Sequence, residues 1–330
     1  MSGRALSFGV VAEAYERFRP AYPVELFDMV MAYAGRPVRT ALEIGAGTGK
    51  ATRLFAQRGV TVTAVEPDGA MLAELRKHVP ANVTTVQAAF EDVRSGESYG
   101  LVYAAAALHW TNPEGRWSRM AALLEPDGVF ASFGGPVRLA DPAVEEAVRT
   151  ARAPFLASDE VPSPDGTPPG HDMQWPGTEL RRSGWFGDVQ QSVIERRLTM
   201  SARDYIGNLS TISAYLELPA PDREQVYSRI MQVLPDTVEI SADITVHLAP
   251  APPAVAEADG LPSAAASPGF GSRRGYHPLR VAQVGTCEPY RPGYQRPQTG
   301  IQGGSRWQST RSLPMSGSMT QPKMLTPTTS

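Results

Sequence analysis

The 330-residue chain has one cysteine, Cys287, and only three lysines, Lys50, Lys77 and Lys323. A single thiol excludes an internal disulfide framework and a multi-cysteine zinc site. The five histidines, His78, His109, His171, His247 and His277, are too scattered along the chain to suggest a metal centre, and metal independence is expected. No apolar run approaches the roughly 18 residues that span a bilayer. The N-terminus, Met1 to Gly9, lacks the apolar stretch of a secretory signal. No membrane association and a cytoplasmic location are the expectations that follow. Residues 1–250 carry 23 basic and 31 acidic side chains, a net of −8, and residues 251–330 carry 8 and 3, a net of +5. Gripping nucleic acid needs clustered Lys and Arg to neutralise phosphates, so the acidic part argues against such a partner.

Two glycine loops are also missing. The dinucleotide-binding turn G-x-G-x-x-G, started at Gly45, meets Lys50 where its third glycine belongs. The P-loop G-x-x-x-x-G-K-[ST], aligned on Gly49-Lys50, has Ile44 in place of its first glycine and Ala51 in place of Ser or Thr. The segment Glu43-Ile44-Gly45-Ala46-Gly47-Thr48-Gly49 therefore reads as E-x-G-x-G-x-G. Glycines at alternate positions let the backbone press against a nucleoside without intervening Cβ atoms. The acid that opens the turn suits a ligand bearing an ammonium group.

The surrounding pattern alternates strands and helices. Helical periodicity runs from Val10 to about Ala34, broken by Pro20 and Pro23. Strands are predicted at Thr40–Ile44, Val60–Val65, Asn82–Ala88, Leu101–Ala104 and Val129–Phe133, with helices between them at Ala51–Arg58, Gly69–His78 and Trp117–Leu124. Asp68 is the expected N-cap of the second of these helices. Such alternation predicts a parallel sheet covered on both faces. Past Gly135 the rhythm changes: helices at 142–153, 176–183, 201–216 and 220–233, and strands at Val189–Leu198 and Val238–Leu248, the last interrupted near Asp243. These are read as strands completing the sheet and an inserted helical cap, 136–235, over the ligand cleft. Residues 250–330, with 11 prolines after Ala251 and little apolar periodicity, are expected to be a disordered tail.

Glu66 stands at the tip of the second strand, 23 positions after Glu43, where an acid can accept hydrogen bonds from both ribose hydroxyls. The turn and this acid resemble motif I and the post-I acid of the class I S-adenosylmethionine-dependent methyltransferases. The runs Ala14–Pro23, Leu108–Pro113 and Leu123–Phe130 resemble a branch of bacterial and fungal small-molecule enzymes that includes the trans-aconitate type. The resemblance covers about residues 8–249 and implies a Rossmann-like, doubly wound, mostly parallel seven-stranded sheet. It implies S-adenosylmethionine as cofactor, with residues 1–249 as the catalytic domain. Glu43 would face the methionine ammonium; Gly45, Ala46, Gly47 and Gly49 would underlie the cofactor; Glu66-Pro67 would take the ribose. Met71, Phe90 and Glu91 would surround the adenine, although Ala88 and Ala89 stand where the family commonly has an acid. Tyr15, Arg19 and Tyr22 would close over the cofactor.

His109 and Trp110 follow the fourth strand, where the methyl group would point. His109 is the candidate general base for an acceptor that must lose a proton; otherwise the pair shapes the pocket. A carboxylate acceptor needs no base, and Arg19, Arg116 or Arg182 would orient it. The expected activity is methyl transfer to a small-molecule acceptor on oxygen, nitrogen or carbon. The alternatives are a cofactor-binding fold used for a non-methylating reaction, or a partner-binding module.

Overall fold

The computed structural model describes residues 8–251, apart from residues 95, 160, 161 and 169. The predicted tail from 252 onward lies outside the described residues. Five parallel strands form the body of the sheet: β1 (Thr40–Ile44), β2 (Thr61–Val65), β3 (Val83–Val86), β4 (Tyr99–Ala105) and β5 (Leu124–Gly134). Two strands from the end of the described chain, β7 (Gln190–Ile194) and β10 (Ile244–Pro250), add antiparallel pairings. The order β3-β2-β1-β4-β5-β10-β7 is the expected seven-stranded, mostly parallel sheet. Strand order reverses between β1 and β4, and in open α/β sheets that point is where a ligand crevice opens beyond the carboxyl ends.

Alternation along the strands divides two cores. Leu42, Ile44, Val102, Ala104 and Phe130 pack with Trp117 and Met120 of α5 (Arg116–Ala122) and Leu180 of α7 (Gly177–Ser183). Ala41, Leu101, Tyr103, Val129 and Phe133 face the other way, against α2 (Val24–Ala34) and α3 (Lys50–Ala56). Glu43 shares the parity of Ala41, so the polar end of β1 is turned towards α3 rather than towards solvent. The segment Pro126-Asp127-Gly128 sits inside β5 as a bulge, with Asp127 at φ 61°.

The inserted unit is more than helical. A three-stranded sheet, in the order β6 (Arg138–Leu139), β9 (Thr237–Ser241), β8 (Arg197–Ser201), joins α6 (Pro142–Arg152), α8 (Ala202–Leu209), α9 (Ser213–Leu216) and α10 (Ala220–Val233) around a third core. The single strand predicted over Val189–Leu198 is two, β7 in the main sheet and β8 in the small one. The break near Asp243 is its counterpart, separating β9 from β10. Asp243 makes both breaks: its Oδ1 accepts from the Arg196 amide at 2.7 Å and its Oδ2 from the Ser241 hydroxyl at 2.7 Å. The Ala242 amide donates to the Arg196 carbonyl across the gap. The stretch of α7 through β7 lies with the main sheet, so the inserted unit is made of two separated pieces. The predicted helix 201–216 is likewise interrupted between α8 and α9.

The N-terminal segment lies across the strand ends. After a 3-10 turn, Phe8–Val11, comes α1 (Ala12–Phe18). Glu16 of α1 binds Arg53 at 2.7 Å and accepts Lys50 Nζ on its carbonyl at 2.6 Å, both from α3. Arg19 donates to the Thr211 hydroxyl at 2.8 Å and carbonyl at 3.1 Å, and the Phe18 ring rests on Gly207 of α8. This segment therefore joins the sheet to the inserted unit.

Candidate active site

The glycine turn follows β1 directly. Gly45 and Gly47 have φ of 65° and 56°, a region costly for residues with a Cβ. A Cβ on Gly45 would also fall 2.5 Å from that of Ala107. The Ala46 amide donates to the Val65 carbonyl, tying the turn to β2. Gly49 caps α3 and its Cα faces Leu75, where a Cβ would fall 2.8 Å away, so this third glycine serves packing of α3 on α4 (Gly69–Arg76).

One cleft opens at the switch point. Its lining includes Tyr15, Arg19, Tyr22, Glu43, Gly45, Ala46, Gly47, Thr48 and Lys50, and on the far side Gly134, Gly135, Arg196 and Ala242. At its floor Glu43 is 0% exposed. Oε2 accepts from the Thr52 hydroxyl and, at 2.9 Å, from the Tyr103 hydroxyl. Oε1 is buried with no hydrogen-bond partner. Burial pushes the Glu43 carboxyl up to about 8, against the pull of these two donors, so at neutral pH it is largely protonated. A buried carboxyl with one free oxygen facing a glycine-walled cleft fits an ammonium group: the cation would supply the missing partner and drive the acid to its ionised form.

Glu66 is buried at the tip of β2. Oε2 accepts from the Gly47 amide at 2.8 Å and Oε1 from the Asp68 amide at 2.9 Å. Burial raises its pKa against these two donors. Asp68 caps α4 as expected, accepting from Ala70 and Met71 amides. Glu66 thus holds the glycine turn to the start of α4, a task beyond the ribose contact expected of it. Each carboxylate oxygen keeps further acceptor capacity for hydroxyls.

The cleft does not gather every residue predicted for the site. Met71 is buried beneath Gly47, its Cε 3.5 Å from where a Cβ of that glycine would stand. The Phe90 side chain is in the core with Val65 and Leu108. Glu91 accepts from the Asn112 amide, linking the turns after β3 and β4. The Pro67 carbonyl accepts a 3.5 Å bond from Gln87. His109 and Trp110 form a 3-10 turn after β4 with ring centres 4.5 Å apart. Phe8 packs edge-on against both Trp110 and Tyr15. Burial, with the charge of Arg116, lowers His109 to about 4. It is neutral at pH 7 but a weak base.

Of the three arginines considered for an acceptor carboxylate, only Arg19 borders the cleft. Arg116 is buried against Glu179 and the Thr111 carbonyl, between Trp117 and Trp175. Arg182 is paired with Asp165. The sequence reading missed Thr52 and Tyr103, which hold Glu43, and Arg196. The first two were findable: Thr52 is one helical segment beyond the turn, and Tyr103 is the β4 register partner of Glu43. Arg196 owes its place to Asp243, 47 residues away, and carried no local signal.

Residues 41–128 match the family described as methyltransferase domain. An uncharacterized methyltransferase of Mycobacterium tuberculosis is 40% identical over 124 residues, 38% of this chain and 50% of the relative. A trans-aconitate 2-methyltransferase of Delftia acidovorans is 40% identical over 123 residues, 36% and 44% of the two chains. The chain spans about half the length of the curated relatives it matches. A solved structure from Anaeromyxobacter dehalogenans, described as a type II methyltransferase, superposes with TM-score 0.53 at 23% identity, covering 72% of this chain and 99% of the other. That likeness is one of fold. Over the matched segment the chain is therefore similar to methyltransferase domains. Over that segment it is also similar to the trans-aconitate-type branch.

Proposed function

We propose that the protein binds S-adenosylmethionine in the cleft at the β1–β4 switch point and transfers its methyl group to a small-molecule acceptor. The carrying observation is Glu43, which lines that cleft and whose buried Oε1 has no hydrogen-bond partner among the described residues. In this reading Glu43 receives the methionine ammonium, Arg19 its carboxylate, and Gly45, Ala46 and Gly47 the chain between them. Glu66 takes the ribose hydroxyls on acceptor sites left over from the Gly47 and Asp68 amides. Met71 and the backbone near Phe90 and Glu91 bound the adenine. When bound, the cofactor supplies an electrophilic methyl carbon: an acceptor atom bonds to it, the C–S bond breaks, and its electron pair returns to sulfur.

For such an in-line displacement, alignment and proximity provide most of the acceleration. The inserted unit, closed down by α1, is assigned the acceptor. A carboxylate-bearing acceptor suits this site best. It needs no base, His109 is depressed to about 4, and a relative bears the name trans-aconitate 2-methyltransferase. His109 and Trp110 then shape the wall through which the methyl group passes.

The test is titration with S-adenosylhomocysteine by calorimetry, followed by incubation with methyl-labelled S-adenosylmethionine and a panel of acids, phenols and amines. Saturable binding and label transfer support the proposal. Binding without transfer to any acceptor favours the non-methylating or partner-binding alternatives, and absence of binding sinks the reading altogether.

A further inference from the structure

Arg196 occupies an unusual position in this fold. It is the residue at which the chain leaves the main sheet after β7 and enters the small sheet at β8. Its backbone is fixed on both sides, the amide on Asp243 at 2.7 Å and the carbonyl on the Ala242 amide at 3.0 Å. Gly135 permits this crossing, because a Cβ there would overlap the Asp243 carbonyl. A side chain launched from so constrained a backbone points in a reproducible direction, as a ligand-positioning group must.

The guanidinium reaches the cleft from the side opposite the glycine turn. Among the described residues it donates one hydrogen bond, to the Ala21 carbonyl at 3.0 Å in the turn between α1 and α2. No carboxylate comes within 4.0 Å of it among the described residues; Glu25 and Tyr22 act on it only at longer range, and burial lowers its pKa. The charges around the cleft are therefore unbalanced. Its lining holds three cations, Arg19, Lys50 and Arg196, and one acid, Glu43, which is held largely protonated. Lys50 shares the Glu16 carboxylate with Arg53, at 3.7 and 2.7 Å. That leaves two guanidiniums, Arg19 and Arg196, for anions that the protein does not itself provide. The cofactor of the proposed function brings one carboxylate.

We propose that Arg196 binds a carboxylate of the methyl acceptor, bidentately, and so sets which acceptors this protein takes. The inference rests on the methyltransferase reading, with Arg19 serving the cofactor and Arg196 the acceptor. Four of the five guanidinium N–H donors are uncommitted, enough for a fork-shaped pair to one carboxylate. The residue lies outside the segment that matches the methyltransferase-domain family, residues 41–128, so its role is a property of the inserted unit.

The experiment measures two quantities on the full chain and on Arg196→Met, Arg196→Lys and Arg19→Met. One is the Kd of S-adenosylhomocysteine; the other is KM and kcat for label transfer to aliphatic di- and tricarboxylates, from succinate to trans-aconitate, and to their methyl esters. The wild-type chain is expected to prefer the free acids. Arg196→Met is expected to raise KM for them by about ten- to a hundredfold, the loss of a charge-assisted pair, with the cofactor Kd within twofold of wild type. Arg196→Lys recovers part of the loss, because a point charge replaces a fork. Arg19→Met shows the reverse, a weakened cofactor and a smaller effect on acceptor KM. A role confined to tying down Ala21 would shift cofactor Kd, acids and esters together, and that pattern overturns the proposal. Equal use of acids and esters by the wild-type chain overturns it too, as does the absence of transfer to any acid on the panel. Loss of cofactor binding by the wild-type chain would instead remove the underlying methyltransferase reading.

Discussion

Glu43 and Tyr103 are register partners on β1 and β4, and the phenol donates to the carboxyl at 2.9 Å in a site closed to solvent on both residues. The pair joins the two strands at the point where strand order reverses. Burial holds the Glu43 carboxyl at about 8 in the free protein. An arriving ammonium reverses that balance, so binding must release a proton at neutral pH. The affinity for S-adenosylhomocysteine is expected to rise close to tenfold per pH unit from about pH 6 to about pH 7.5, flattening near pH 8, where Glu43 titrates. Calorimetry in buffers of different ionisation enthalpy reads the released proton directly. In Glu43→Gln the slope disappears along with most of the affinity; an unchanged slope would remove Glu43 from the cofactor site.

Tyr103→Phe tests the same pair from the other side. Losing the donor removes stabilisation of the carboxylate form, so the free-state pKa of Glu43 moves up. The midpoint of the affinity–pH curve is expected to shift upward by about one unit, the equivalent of a hydrogen bond to a charged group. The substitution keeps the ring tilted against Phe55 and stacked on Phe133, so the fold is retained. A vertical drop in affinity with no shift in midpoint would show that Tyr103 only fills space.

Glu66 predicts a coupled loss. Its two oxygens hold the Gly47 and Asp68 amides, and removing the carboxylate orphans both donors. Glu66→Ala is expected to lower stability by about 1–3 kcal/mol while weakening S-adenosylhomocysteine by more than tenfold. Glu66→Gln keeps one acceptor and should restore much of the stability but little of the ribose affinity. Urea unfolding and calorimetry on the same samples separate the two effects. If both variants bind as the wild type does, Glu66 is only the clip that holds the turn.

These three residues also mark how far the sequence could be read. The parallel strands, the glycine turn and the Asp68 cap all rest on local patterns, β-branched runs, turn glycines and capping acids, and the structure has them within a few residues. The reach of Glu43 towards α3 was legible from strand parity alone. The split of Val189–Leu198 into β7 and β8 was not. No glycine, proline, asparagine or aspartate marks the break, and what redirects the chain is the side chain of Asp243, 47 residues on, between β9 and β10. The same distance in sequence hid Arg196. Arg116 misled for a related reason: its partner, Glu179, is 63 residues away, and nothing beside Arg116 shows that its charge is already spent.

Gly207 predicts the behaviour of the N-terminal segment. A Cβ there would fall 2.6 Å from the Phe18 ring, which cannot yield without moving α1 away from α8. Gly207→Ala is expected to loosen α1, raising its amide hydrogen exchange and weakening S-adenosylhomocysteine by roughly three- to tenfold, a cost of about 1 kcal/mol. The strand amides of β1 and β4 should exchange as before. Unchanged exchange across residues 12–19 would show that the Phe18–Gly207 contact does not anchor α1.

His247 gives the protein a measurable acid sensitivity. It lies in β10, 2% exposed, with its ring Nε2 2.8 Å from Gln191 Oε1, which also accepts from the Gln174 amide. That oxygen needs donors, so the imidazole is neutral with its proton on Nε2. Burial lowers its pKa to about 4. A depressed histidine favours the unfolded state as soon as the unfolded chain binds a proton that the native one refuses. Its contribution is complete above about pH 6.5 and is lost as pH falls from there towards about 4, roughly 2 kcal/mol by about pH 5. Glu43 acts in the opposite sense: its raised pKa favours the folded state at low pH, an advantage lost as pH rises from about 4.5 through 8. The total pH profile mixes the two, so the difference between wild type and His247→Gln is the informative quantity. That difference in urea-unfolding free energy is expected to shrink by about 2 kcal/mol between about pH 7.5 and about pH 5. A difference independent of pH would mean that His247 titrates normally and that its burial against Gly177 and Gln191 is relieved by local opening.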